Sequence, residues 1–172
     1  MHKEIERRFI VDKSKAPNID KMQYLDITQG YIKVPQDSEY ITRLRQTLYT
    51  DYEHVPMGEA YSLTIKGKGS LERDQFETII WKMQFSKLWP AFMNFNIHKY
   101  RYHIPTSNKK YTVEYDIYKN ELNGLYLAEV EFKTIHEAEE YIPEDWFSSE
   151  VTNNPDFSNY NLAIIGVPPM SF

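Results

Sequence analysis

Glu4, Glu6 and Arg8 occupy alternate positions of the stretch Glu4-Ile5-Glu6-Arg7-Arg8-Phe9-Ile10-Val11. In an extended strand they share one face, about 7 Å between successive members, while Ile5, Arg7 and Phe9 take the other. Two carboxylates and a guanidinium on one face can hold a hard divalent cation and a phosphate side by side. A solvated edge strand shows the same alternation, so a single strand does not separate the two readings. The pattern recurs along the chain. Arg43 and Arg45 alternate, as do Lys66 and Lys68, Arg73, Gln75 and Glu77, Lys99, Arg101 and His103, Glu114 and Asp116, and Glu129, Glu131 and Lys133.

These positions demand strands to carry them. Alternation of charged and apolar residues marks about eight: residues 4–11, 26–33, 40–48, 61–68, 73–80, 98–104 and 111–118, and an eighth opened by Gly124. Between the fifth and sixth lies a helix over residues 82–94, with Met83, Leu88, Phe92 and Phe95 as its apolar members and a break at Pro90. Residues 12–24 read as a loop with a short helical turn, and Gly67, Gly69 and Ser70 as a hairpin turn. After the last strand the reading is helical, over 135–141 and 158–165, with a turn at 143–147.

The wet face of an ordinary sheet carries Thr, Ser and Gln among scattered charges. Here the polar phase is nearly all Arg, Lys, Glu and Asp, and it sorts by sign. Bases dominate the third, fourth and sixth strands, acids the seventh and eighth, and the first and fifth carry both. Eight strands can close into a barrel that holds one small ligand. A charged lumen then needs a ligand or ions to compensate it, because unpaired buried charge is costly; acids gathering metal and bases gathering phosphate would supply that compensation.

Composition sets the outer limits. At 172 residues the chain reads as one domain, 1–172. Its formal net charge is −5, which argues against a general nucleic-acid binder. Beyond Lys133 there are seven acids and no Lys or Arg, so residues 1–133 hold 18 of the 25 acids and all 20 bases. The absence of cysteine excludes a thiolate nucleophile, a disulfide framework and a Cys-based zinc site. No apolar run approaches membrane-spanning length and no signal-peptide pattern opens the chain, so a cytoplasmic protein without a membrane partner is expected. Aromatic residues reach 15%, with 14 Tyr, which favours strands.

Taken in order, these residues resemble the CYTH superfamily, the triphosphate tunnel metalloenzymes. Glu4-x-Glu6-x-Arg8 resembles the family's ExExK signature, Gln29-Gly30-Tyr31 its QGY element, Arg43-Leu44-Arg45 its RxR and Thr64-Ile65-Lys66 its TxK. Arg73-Asp74-Gln75-Phe76-Glu77 is similar to RxExE, and Lys99-Tyr100-Arg101-Tyr102 to KxRY. Glu114-Tyr115-Asp116 resembles the strand that ends in the family's aspartate. Ala128-Glu129-Val130-Glu131 resembles AEVE, and the segment from Glu150-Val151-Thr152 through Phe157-Ser158-Asn159 to Leu162-Ala163 the C-terminal elements.

The resemblance spans essentially the whole chain. It implies an α+β, mainly β fold: a closed eight-stranded antiparallel β-barrel (tunnel) with flanking helices. It implies a small-molecule triphosphate or polyphosphate substrate and a Mg²⁺ or Mn²⁺ cofactor. Arg8, Arg43, Arg45, Lys66, Arg73, Lys99 and Arg101 would bind phosphate, and Glu4, Glu6, Glu129 and Glu131 the metal. Glu6, Arg8, Glu77 and Asp116 are the catalytic candidates, Glu77 and Asp116 as groups that either orient the attacking water or support the residues that bind metal and phosphate. A homodimer is compatible with this reading. Small bacterial members are mostly inorganic triphosphatases; a class IV-type adenylyl cyclase and a non-catalytic polyphosphate- or nucleotide-binding module are the alternatives.

Two positions depart from the pattern: Arg8 stands where Lys is usual, and Gln75 where the first Glu of RxExE is expected. Lys33, Lys68 and Lys133 read as solvated lysines and His103 as a rim residue. Gly67-Lys68-Gly69 is a turn and not a phosphate-binding loop, since no helix follows it.

Overall fold

The computed structural model describes residues 2–69 and 71–170. Among the described residues nine strands form a single antiparallel sheet: β1 (His2–Val11), β2 (Tyr24–Tyr31), β3 (Tyr40–Thr50), β4 (Pro56–Gly67), β5 (Glu72–Ile80), β6 (Asn96–Pro105), β7 (Thr112–Tyr118), β8 (Tyr126–Phe132) and β9 (Phe147–Glu150). Three helices accompany them, α1 (Lys82–Phe92), α2 (Ile135–Glu140) and α3 (Asn159–Ile165).

The sheet order is β5-β4-β3-β2-β6-β7-β8-β1-β9, and a further β1–β5 pairing closes the first eight strands into the expected barrel. β1 is the closing strand. On one side Ile5 to Ile10 pair with Phe132 to Leu127 of β8. On the other, His2 to Ile5 pair with Gln75 to Glu72 of β5. Strand β9 then continues that second side, pairing Phe9 with Glu150 and Ile10 with Ser149.

The helices read over 135–141 and 158–165 are present as α2 and α3, and the ninth strand, β9, lies between them in a stretch where no element was read. Four residues are too few for alternation to register, and the pairing depends on β1 leaving an edge beyond its contact with β5. Pro90 does not break α1, which runs on through it. Pro90 sits near the helix end, so one intrahelical bond is lost, and Phe85 and Phe92 pack beneath the helix against Leu44 and Tyr61. The buried face is thus Phe85 and Phe92 and not Met83, which is 72% exposed. Of the hairpin turn, Ser70 lies outside the described residues.

Because the lumen is charged, the apolar core lies outside the barrel wall. One cluster joins Phe9, Tyr115 and Val130 on the outer wall to Tyr141 and Trp146. A second gathers Ile97, Leu127, Val151 and Phe157 around Leu162 of α3. Arg7, in the apolar phase of β1, ties this outer layer down. It makes a two-pronged bond to Glu150, at 2.8 and 2.7 Å, and donates to the carbonyls of Ala138 and Tyr141 at 2.9 Å.

Candidate functional site

The inward phase of the strands converges on one polar cavity of about 120 Å³. Its lining holds six bases, Arg8, Arg43, Arg45, Lys66, Arg73 and Arg101, and six acids, Glu4, Glu6, Glu77, Glu114, Glu129 and Glu131. Gln75 and Asn159 complete it. Register explains the meeting: Glu6 lies opposite Glu131 and Arg8 opposite Glu129 across β1–β8, Arg43 opposite Thr64 across β3–β4, and Lys66 opposite Gln75 across β4–β5.

The charges form a continuous alternating ladder. Lys66 holds Glu4 at 2.9 Å, and Arg73 Nε holds the same carboxylate at 2.8 Å. Arg73 also reaches Glu6. Arg8 bridges Glu6 and Glu129, at 2.8 Å to each. Arg101 takes the other oxygen of Glu129 at 2.8 Å, binds Asp116 through two nitrogens at 2.6 and 2.7 Å, and reaches Glu114. Buried carboxylates and guanidiniums are tolerable only in such company.

Electrostatics follow from the ladder. Burial alone would raise the Glu129 carboxyl, but Arg8 and Arg101 overcome it and hold the group well below the usual carboxylate range. Burial alone would likewise raise Glu114, yet Arg101 brings it down to about 2. Burial would discharge Arg8, and Glu129 and Glu6 more than reverse that. Lys66 is pushed down to about 8, first by burial and then by Arg43.

Arg45 differs from the other bases. No carboxylate lies within ion-pairing distance of it among the described residues; its Nε donates to Gln29 Oε1 at 2.9 Å. Burial, with repulsion from Arg43 and Arg101, lowers it to about 10. It still carries its charge at neutral pH, which makes it the base most ready for an incoming anion. Arg43, in turn, donates through Nη2 to Thr64 at 3.0 Å and to Glu77 at 2.9 Å, while its buried Nε has no partner among the described residues.

All but two of the residues marked in the sequence line this cavity. Lys99 and Asp116 share the inward phase but are each 0% exposed, with Lys99 Nζ 2.5 Å from Asp116. They lie behind the lining and brace Arg101. Glu114, one inward step from Asp116, reaches the lumen in its place, and its position in the acidic phase of β7 was the signal for it. Gln75 stands in the sequence where RxExE has Glu, and Asn159 within the C-terminal elements, but no charge pattern marks either neutral side chain as part of the lining. Lys33, Lys68, His103 and Lys133 are exposed and absent from the lining.

Glu4, Glu6, Glu129 and Glu131 supply hard oxygen donors of the kind Mg²⁺ and Mn²⁺ take. Gln75 adds a buried Oε1 with no hydrogen-bond partner among the described residues, an acceptor available to a cation or to a bound water. By donor chemistry the set fits such a metal. Among the described residues no three of these groups are gathered in metal-holding geometry; Lys66, Arg73, Arg8 and Arg101 occupy Glu4, Glu6 and Glu129.

No protein-family model matches the chain. An inorganic triphosphatase of Nitrosomonas europaea is 34% identical over 161 residues, covering 94% of this chain and 97% of that protein. The crystal structure of an inorganic triphosphatase superposes with a TM-score of 0.65 at 32% identity, over 95% of this chain and 96% of that one. A Pyrococcus horikoshii protein, 16% identical, shares the fold with a TM-score of 0.54 over 80% of this chain and 82% of its own. A barrel closed through β1, a lumen of alternating charge and this likeness across nearly the full length of both chains place the protein in one family: it belongs to the CYTH superfamily, beside the inorganic triphosphatases.

Proposed function

We propose that this protein hydrolyses a triphosphate, inorganic tripolyphosphate before any organic ester, to pyrophosphate and phosphate, with Mg²⁺ or Mn²⁺ as cofactor. The observation that carries the reading is the matched set of six bases and six acids around one cavity. A lumen so lined recognises charge before all else, and a phosphate chain with divalent cations presents both signs to it.

In this scheme Arg45 receives a phosphate oxygen first, and Arg8, Arg43, Lys66, Arg73 and Arg101 follow. Arginines offer paired N–H donors and Lys66 a point charge. Glu4, Glu6, Glu129 and Glu131 hold the metal, which when bound neutralises phosphate oxygens and activates water. Water attacks a terminal phosphorus, the bridging P–O bond breaks, and pyrophosphate leaves with the electron pair. Phosphoryl transfer of this kind needs positioning and charge neutralisation more than a protein nucleophile.

Glu77 is the candidate for orienting that water. It accepts from Arg43 and, at 2.7 Å, from the Thr64 hydroxyl. Burial tends to raise it, but Thr64 and Arg43 bring it below its ordinary value. It therefore acts as an acceptor that aims the water and not as a strong base. Asp116 acts through Arg101, whose guanidinium it holds in place, and Lys99 through Asp116.

One chain builds the whole lumen, so the reading works for a monomer and for a homodimer alike. Among the described residues no helix is long and apolar enough to cross a membrane. A cytoplasmic location, with no nucleic-acid partner, accompanies the proposal.

Phosphate release from tripolyphosphate, ATP and thiamine triphosphate, each with Mg²⁺ and then with Mn²⁺, tests it. Release from tripolyphosphate ahead of the two esters is expected. Silence on all three, with a triphosphate-dependent rise in melting temperature, would replace hydrolysis by binding and point to Gln75, which stands where the family has Glu.

A further inference from the structure

We propose that Asn159, carried on α3 and not on a barrel strand, is a substrate-contacting residue whose side-chain amide donates to a phosphate oxygen in the lumen. The assignment rests on the triphosphate reading above. Asn159 is part of the cavity lining, alongside Arg8 and Arg101. Its Oδ1 accepts from the Tyr118 hydroxyl at 2.6 Å and from the Lys99 ammonium at 3.3 Å.

These two bonds decide which way the amide faces. An ammonium has donors and no acceptor, so the atom turned to Lys99 is the carbonyl oxygen. With Oδ1 engaged twice, the NH₂ group is what remains for the cavity. It forms no hydrogen bond to protein among the described residues. The backbone is pinned as well: Arg8 Nη1 donates to the Phe157 carbonyl at 3.2 Å, and the Ser158 hydroxyl caps α3 by accepting from the Asn161 N–H at 3.2 Å.

The chemistry complements that of the bases. Arg8 and Arg101 are held by carboxylates and must share themselves with an incoming phosphate. A neutral amide donor has no carboxylate to leave, so it can bind a phosphate oxygen without breaking the ladder. Lys99, wholly buried, becomes a positioning residue for Asn159 as well as for Arg101, and substrate would draw α3 onto the barrel.

Calorimetric titration of the full-length, metal-free protein with tripolyphosphate, paired with melting temperatures, tests this. Asn159→Ala should bind about tenfold more weakly. Asn159→Asp keeps an oxygen for Tyr118 and Lys99, so its melting temperature should match the wild type, but it turns a negative oxygen toward phosphate and should bind about a hundredfold more weakly. If Asn159→Ala does not fold, Asn159→Asp carries the test. A purely structural Asn159 would leave the affinity of Asn159→Asp at the wild-type value, and that result overturns the inference while sparing the triphosphatase reading. Wild-type protein that fails to bind tripolyphosphate overturns both.

Discussion

Arg8 and Glu129 face each other across the β1–β8 pairing and meet at 2.8 Å, each side chain only 7% exposed. Neither could stand there alone, because a buried charge without its partner costs several kcal/mol. Glu129 also takes Arg101, so one carboxylate bridges two guanidiniums. Replacing it with Leu takes one carboxylate from each, leaving Arg8 with Glu6 and Arg101 with Asp116 and Glu114. Glu129→Leu should lose about 3–5 kcal/mol of unfolding free energy, measured by urea denaturation, and added tripolyphosphate should restore part of the loss by supplying the missing negative charge. A loss below about 1 kcal/mol would mean that the ladder is not the source of order in the lumen.

Arg45 should behave in the opposite way. Among the described residues it has no ion-paired carboxylate to abandon, and repulsion from Arg43 and Arg101 outweighs the attraction of Glu114. Arg45→Ala should therefore cost far less stability than Glu129→Leu, while tripolyphosphate affinity falls about tenfold to a hundredfold, the range for a lost charge-assisted hydrogen bond. Glu6→Gln should do the reverse in function, abolishing turnover while metal-free tripolyphosphate binding stays largely intact. Equal, mild effects from Arg45→Ala and Glu6→Gln, read by calorimetry and phosphate release, would break the division of labour between bases that hold phosphate and acids that hold metal.

The acid limb of stability should report Glu114. In the unfolded chain its carboxyl titrates near 4.5, and in the fold, where Arg101 overrides burial, near 2. Between those values the unfolded chain binds a proton that the folded one refuses, so acid favours unfolding. The contribution is whole above about pH 4.5 and is lost as pH falls toward about 2. Glu4 and Glu129 shift in the same direction, so the fall is shared. Unfolding free energy followed from pH 5 to pH 2 should drop less steeply in Glu114→Gln than in the wild type. An unchanged slope would show that Arg101 does not hold Glu114 ionised.

Much of this arrangement was readable because a strand has only two faces. Once Glu4, Glu6 and Arg8 fall on one, their apolar neighbours must face the other, and eight repeats of that division describe a charged lumen inside an apolar sleeve. Depth along the barrel has no such signature. Lys99 and Arg101 share a phase, yet Lys99 is sealed behind the lining while Arg101 opens onto the cavity, because α3 covers that end. The roles of neutral residues are hidden for a related reason: motif spacing marks the positions of Gln75 and Asn159, but only their surroundings show that they line the cavity. The helix α1 was misjudged at its face, since Met83 and Phe85 are equally apolar and only the position of Leu44 on β3 selects Phe85. Arg7, which interrupts the apolar phase of β1, makes sense only when α2 and β9 are in place to receive it.

Gly30 links the helix to the strands that carry the site. A Cβ built there would lie 2.6 Å from the Phe92 carbonyl oxygen of α1 and 3.0 Å from its Cβ. The glycine is thus required by close approach, since α1 rests directly on β2 at this point. Gly30 pairs with Leu44 of β3 and Asn96 of β6, one residue from Gln29, which receives Arg45. A methyl group at this position must push α1 outward or shift β2. Gly30→Ala should cost about 1–3 kcal/mol, the usual penalty of overpacking. Tripolyphosphate affinity should weaken with it, because a displaced β2 moves Gln29 and with it Arg45. Urea unfolding and calorimetry on one preparation would check both. A stability loss with unchanged affinity would show that α1 serves the fold and that Arg45 is held independently of it.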